Sequence, residues 1–188
     1  MRILVLILLA FGSATASAGF YEVGGSANYR YSGYDANNYI QSLSYTASVS
    51  YYFWEMCAVE VGYTTGYSKQ VSGGSGSTID PKETIEDNIS LTSADLVLSF
   101  SGRQDPIRPY VKLGGGYLIK DRFRRINSDN ESLIAHQEGL VPSGGLGLSI
   151  NITAGMSIKL GVDAWTSPPK VQPVIVDYAG RAGISWMF

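Results

Sequence analysis

Residues 42–53 read SLSYTASVSYYF. Leu43, Tyr45, Val49, Tyr51 and Phe53 fall on one parity, and Ser42, Ser44, Thr46, Ser48 and Ser50 fall on the other. A period of two places the large apolar side chains on one face of an extended strand and the hydroxyls on the opposite face. The stretch is therefore a β-strand with one broad apolar face and one narrow polar face.

The same period recurs in eight segments, at about 20–32, 42–54, 57–67, 89–101, 108–119, 139–152, 154–165 and 174–188. The apolar row includes Tyr21, Val23, Ala27 and Tyr29 in the first and Val59, Val61 and Tyr63 in the third. It continues through Val111, Leu113 and Tyr117 in the fifth and Val176, Tyr178, Ile184, Trp186 and Phe188 in the last. No apolar row carries a charge. The opposite row holds Glu22, Arg30, Glu60, Asp95, Lys112, Lys159, Asp163, Asp177 and Arg181 among Gly, Ser, Ala and Asn. The fourth segment breaks the pattern, because Ile89 and Leu91 share the parity of Asp95. A bulge near Thr92 or a later strand start would each restore it.

Two features point the apolar row at lipid rather than at a core. A soluble exterior is rich in charge, whereas this polar row is mostly small, as the crowded lumen of an eight-stranded barrel requires. The aromatics also sort by height, with Tyr21, Phe53, Phe100, Trp186 and Phe188 at one level and Tyr31, Tyr45, Tyr67, Tyr117 and Tyr178 at the other. Two aromatic girdles around an aliphatic band describe a barrel in a membrane. A Lys or Arg on its lipid face costs about 2–4 kcal/mol at the midplane, which accounts for a row without charge. The expected fold class is all-β, an eight-stranded antiparallel up-and-down transmembrane β-barrel.

The flanking segments agree. Residues 1–18, MRILVLILLAFGSATASA, have the basic start, the apolar run and the Ala16-Ser17-Ala18 ending of a cleaved signal peptide, which leaves a barrel of residues 19–188. Links after strands two, four and six are short, and those after one, three, five and seven are long, as periplasmic turns and external loops are. Both termini are then periplasmic in a bacterial outer membrane. A net charge of −2 gives no reason to expect a nucleic-acid partner. Cys57 is the only cysteine, which excludes a disulfide within the chain, and His136 is the only histidine. Neither a metal nor another cofactor is expected from that ligand set.

Five segments resemble the small eight-stranded outer-membrane barrels, the family of OmpA transmembrane domains, OmpX and OmpW. They are FYEVGGSANYRY (20–31), SLSYTASVSYYF (42–53), RPYVKLGGGYLI (108–119), GGLGLSINI (144–152) and AGRAGISWMF (179–188). The resemblance covers residues 20–188. It implies that Ile184, Trp186 and Phe188 form the terminal signature read by the barrel-assembly machinery. It also implies a monomer set in outer-membrane lipid and lipopolysaccharide, with a structural or surface-interaction role. An OmpW-like channel for small or hydrophobic solutes is the alternative, and a lipid-modifying enzyme the remote one.

Three constellations could carry chemistry. The lumen row has five acids and four bases, which must pair in a narrow interior and so form either a salt-bridged plug or a gated polar path. The segment DRFRR, with Arg122, Arg124 and Arg125, and Lys120 just below it, is expected in the third external loop. There its cations could bind lipopolysaccharide phosphate. His136 lies near Ser132 and Glu138 in sequence, but no hydrolase motif surrounds them. No catalytic residue is assigned.

Overall fold

The computed structural model describes residues 19–35, 38–73, 82–126, 132–168 and 176–188, with the backbone alone for 30–35. The signal segment 1–18 and the side chains of Arg30 and Tyr31 lie outside the described residues. Eight strands follow in chain order: β1 (Phe20–Asp35), β2 (Asn38–Trp54), β3 (Cys57–Gly73), β4 (Lys82–Ser99), β5 (Ile107–Ile126), β6 (Ser132–Asn151), β7 (Met156–Thr166) and β8 (Val176–Met187). Each pairs antiparallel with its chain neighbours, and β8 returns to β1 to close the barrel. Closure matters in lipid, where an open sheet edge would leave backbone groups without water to bond.

The side-chain alternation decides what each surface meets. Leu113, Leu140 and Leu146 stand outside at 69%, 74% and 64% exposure, an apolar exterior far larger than water tolerates on a monomer. The opposite parity points inward, where Glu22, Glu60, Asp95, Lys112, Lys159 and Arg181 are buried. Both described chain ends lie at the end of the barrel that carries the short turns, and the Phe188 amide donates to the Tyr21 carbonyl there.

Two sequence-based expectations are corrected. First, β4 contains neither a bulge nor a late start: it runs in unbroken register against β3, from Gly73↔Lys82 to Cys57↔Leu98. Ile89 and Leu91 keep the lumen parity because part of the lumen is itself apolar. Second, most of the residues assigned to the second and third long loops are strand, since β3 reaches Gly73, β4 begins at Lys82, β5 reaches Ile126 and β6 begins at Ser132. These extensions run beyond the aromatic level of Tyr45, Tyr67, Tyr117 and Tyr178, and the apolar alternation fades along them. Cross-strand charge pairs replace it, such as Lys69 with Glu86 at 3.6 Å and Arg122 with Asp87.

Candidate functional site

The lumen is filled in layers. At the short-turn end Phe20, Tyr52, Ala58, Val97, Tyr110 and Met187 form a buried cluster, with the Phe20 and Tyr52 rings stacked at 4.4 Å. The Arg103 guanidinium caps it 4.4 Å above the Phe20 ring.

Above this cluster lies the charge network. Glu22, Ser50, Glu60 and Asp95 are successive partners across β1 to β4, so a single register line brings three acids together. The Glu60 carboxylate is the hub: it accepts from Lys112 Nζ at 3.2 Å, Arg181 Nη1 at 3.3 Å and the Ser50 hydroxyl at 3.1 Å. Lys112 also reaches Asp163 at 3.0 Å and Asp95 at 3.9 Å, and Arg181 Nη2 bonds Asp163 at 2.8 Å. Lys159 pairs with Glu22, whose other oxygen accepts from the Tyr52 hydroxyl at 2.9 Å. Room for these long side chains comes from glycine. A Cβ on Gly145 would lie 2.9 Å from Lys112 Cε and 2.4 Å from Asp163 Oδ1. The mixed network satisfies charges that could not be buried singly.

Next comes a cavity of about 20 Å³, lined by Ser44, Thr46, Ser93 and Ser143 together with the charged side chains below. It has room for about one water. Leu91, Leu118, Val141 and Trp165 pack over it from the β4–β7 side as an apolar layer, with Leu118 fully buried, while Asn28, Ser44 and Thr64 on the opposite side line both it and the space above. Beyond that layer is a vestibule of about 140 Å³, lined by Asp87, Lys120, Asp177, Ser42, Ser68 and Tyr67 among others.

Of the nine lumen charges expected from sequence, Glu22, Glu60, Asp95, Lys112, Lys159, Asp163 and Arg181 meet in the network. Asp177 stands apart above the apolar layer, 3.0 Å from Lys120 Nζ. Arg108, buried at the short-turn end, and Asp87, in the vestibule, were missed. The parity that identified Lys112 also runs down to Arg108 and up to Lys120 and Arg122, so the signal was present.

No family model matches the sequence, and no curated protein does either. Solved structures do match. The outer membrane protein OprG from Pseudomonas aeruginosa aligns with a TM-score of 0.61 at 15% identity, covering 90% of this chain and 95% of that one. The N-terminal β-barrel domain of Pseudomonas aeruginosa OprF gives 0.55 at 20% identity, over 90% and 97% of the two chains. Neisserial surface protein A gives 0.53 at 17% identity, over 91% and 98%. This chain has the fold of the small outer-membrane β-barrels.

The mouth of the barrel corrects the expectation for DRFRR, which lies within β5 rather than in a loop. Arg122 bonds Asp87 through two nitrogens, at 2.7 and 2.8 Å. Lys120 meets Asp177 and Asp87, and Arg124 meets Glu83 at 2.7 Å. Alternation along β5 turns these three cations toward the barrel mouth and Arg125 outward.

His136 is on the outer face of the β5–β6 extension, above Tyr117. Its Nδ1 lies 2.5 Å from Asp121 Oδ1 on the partner strand, and its Nε2 lies 3.7 Å from Glu138. The hydrogen bond with Asp121, helped by the nearby carboxylate charges, raises the imidazole pKa above its ordinary value. Both nitrogens thus face carboxylates, and the Ser132 hydroxyl donates elsewhere, to the Arg124 carbonyl at 3.3 Å. The raised folded-state pKa means that this pair stabilises the extension fully below about pH 6.5 and ceases to do so as pH rises through the folded value. Amide exchange in Arg122–Ile126 and Ser132–Gln137, corrected for intrinsic rates, should therefore be faster at about pH 8.5 than at about pH 6. The His136→Gln variant should lose that difference; a difference that survives would assign it to other groups.

Proposed function

We propose that this protein is an integral outer-membrane barrel with a structural or surface-interaction role, closed to solutes and presenting its raised β3–β6 wall outside the cell. The observation that carries this reading is the narrowed lumen: between a salt-bridged layer and an apolar layer only a cavity of about 20 Å³ remains. What such a barrel offers its surroundings is its exterior. Lipid covers the apolar belt, and the row of Ile184, Trp186 and Phe188 is the signal offered to the assembly machinery, with both termini periplasmic. The monomer needs no cofactor and performs no catalysis in this reading.

Lipopolysaccharide is the proposed partner at the outer rim. Lys69 and Arg125 occupy the outward parity just above the girdle, at the height of lipid phosphates, and cations there bind phosphate oxygens. The refolded protein should gain thermal stability when lipopolysaccharide is added to its micelles. A Lys69→Gln/Arg125→Gln double variant should lose most of that gain, measured against its own stability in detergent alone. An undiminished gain would remove the phosphate contact from these residues.

A channel is the second reading, favoured by the vestibule of about 140 Å³ that stands one apolar layer above the charge network. It requires that layer to move.

A further inference from the structure

The closing seam of the barrel is paired over only part of its length. Among the described residues β1 meets β8 in six pairs, from Glu22↔Met187 to Ala27↔Ala182, and the ladder stops there although both strands continue. β1 stays paired with β2 up to Asp35↔Asn38, and β8 stays paired with β7 up to Thr166↔Val176. Continued register would set Asn28 against Arg181 and Tyr29 against Gly180. The Tyr21 carbonyl accepts from the Phe188 amide across this seam. Backbone groups alternate sides along an antiparallel strand, so the N–H and C=O of Tyr29 and those of Gly180 are turned toward one another without pairing. Unpaired backbone is costly in the wall of a membrane barrel, so the two edges need a cause to stay apart.

Two contacts sit at the gap. Asn28 reaches into it, since a Cβ on Gly180 would lie 3.5 Å from Asn28 Oδ1. Asp177, in the unpaired half of β8, is tied to Lys120 Nζ at 3.0 Å. Lys120 stands on β5, with β6 and β7 between it and β8, so the ion pair crosses the lumen. β5 is itself fixed at that level on both sides, by Ile89 of β4 and Gln137 of β6. The pull therefore falls on β8, whose outer half is held by β7 alone. The ammonium is 12% exposed and the carboxylate 29%, which makes their attraction stronger than in open water.

We propose that the Lys120–Asp177 ion pair is a latch that holds the outer half of β8 off β1 and keeps the seam parted beside the vestibule. When the latch is released, β8 moves back and the ladder lengthens through Asn28↔Arg181 and Tyr29↔Gly180. The backbone bonds gained then stand in for the ion pair lost, so the two arrangements are alternatives of one β7–β8 hairpin. Both latch residues line the vestibule, as do Asn28, Tyr178 and Ala179 from the seam strands. The latch thus couples the charges inside the vestibule to the shape of its wall.

Amide exchange of the refolded barrel in micelles, read residue by residue by NMR, tests the latch. In the parent protein Tyr29 and Gly180 should exchange fast, while Ala27 and Ala182 in the last pair of the ladder are protected. Lys120→Met keeps the length of the side chain and leaves Asp87 its two bonds to Arg122. It should slow exchange at Tyr29 and Gly180 by about tenfold or more and bring their backbone protons into cross-strand contact. Asp177→Ala should do the same from the other partner, and it carries the comparison if the lysine variant does not fold. Protected Tyr29 and Gly180 amides in the parent protein would overturn the proposal by showing a closed seam. Exchange that stays fast in a folded variant would overturn it as well, and would leave Asn28 as the wedge.

Discussion

Replacing Lys112 with methionine is expected to lower the unfolding free energy of the barrel by about 3–5 kcal/mol, the cost of stranding buried charge. Methionine keeps the length and most of the volume of the side chain, so the loss is electrostatic rather than a cavity. Three carboxylates depend on that ammonium: Glu60 at 3.2 Å, Asp163 at 3.0 Å and Asp95 at 3.9 Å. Arg181 continues to hold Glu60 and Asp163, but Asp95 keeps only the Ser143 hydroxyl, at 2.6 Å. Urea unfolding in micelles measures the loss. A second variant, Lys112→Met with Asp95→Asn, should recover part of it, because neutralising the stranded acid removes the penalty. If Lys112→Met alone is neutral, the network does not hold the lumen together.

The second large effect concerns the apolar layer. Leu118→Ala combined with Trp165→Ala should join the cavity of about 20 Å³ below to the vestibule of about 140 Å³ above, both of which Trp165 lines. Each truncation of a buried side chain this large costs about 2–5 kcal/mol. The joined space would be wet, since Ser44, Thr64, Asn28 and the charged groups at both ends offer water partners among its apolar wall residues. Proton or small-ion leak across liposomes holding the double variant should then exceed that of the parent protein. Equal leak would place the barrier in the salt-bridged layer instead.

Both effects depend on features that the sequence displayed unequally. Strand number and the lipid-facing row were legible because lipid imposes one rule on every outward position of the belt, as Leu113, Leu140 and Leu146 show. Inside the barrel no single rule holds. Leu91 shares its face with Asp95 because one level of the lumen is greased and another charged, so the inward row carries no uniform chemistry. Beyond the girdle the apolar alternation stops. The β3–β4 and β5–β6 extensions are held by ladders and ion pairs such as Arg122 with Asp87, which alternation does not mark.

The charge partners were legible as a set but not as pairs. Parity assigned Glu60, Lys112 and Arg181 to one interior, while their meeting depends on stagger between strands that are distant in sequence. Asp177 shows the limit: its parity matched the network, and its height put it beyond the apolar layer with Lys120. Arg108 opens the segment 108–119 on the parity of Lys112, so it was as legible as the lysine and was passed over.

The most direct measurement is single-channel conductance of refolded residues 19–188 in a planar bilayer. A sealed lumen predicts silence from protein shown to be folded and inserted. Discrete, reproducible steps from the unmodified barrel would contradict it and make the vestibule the entrance to a pore.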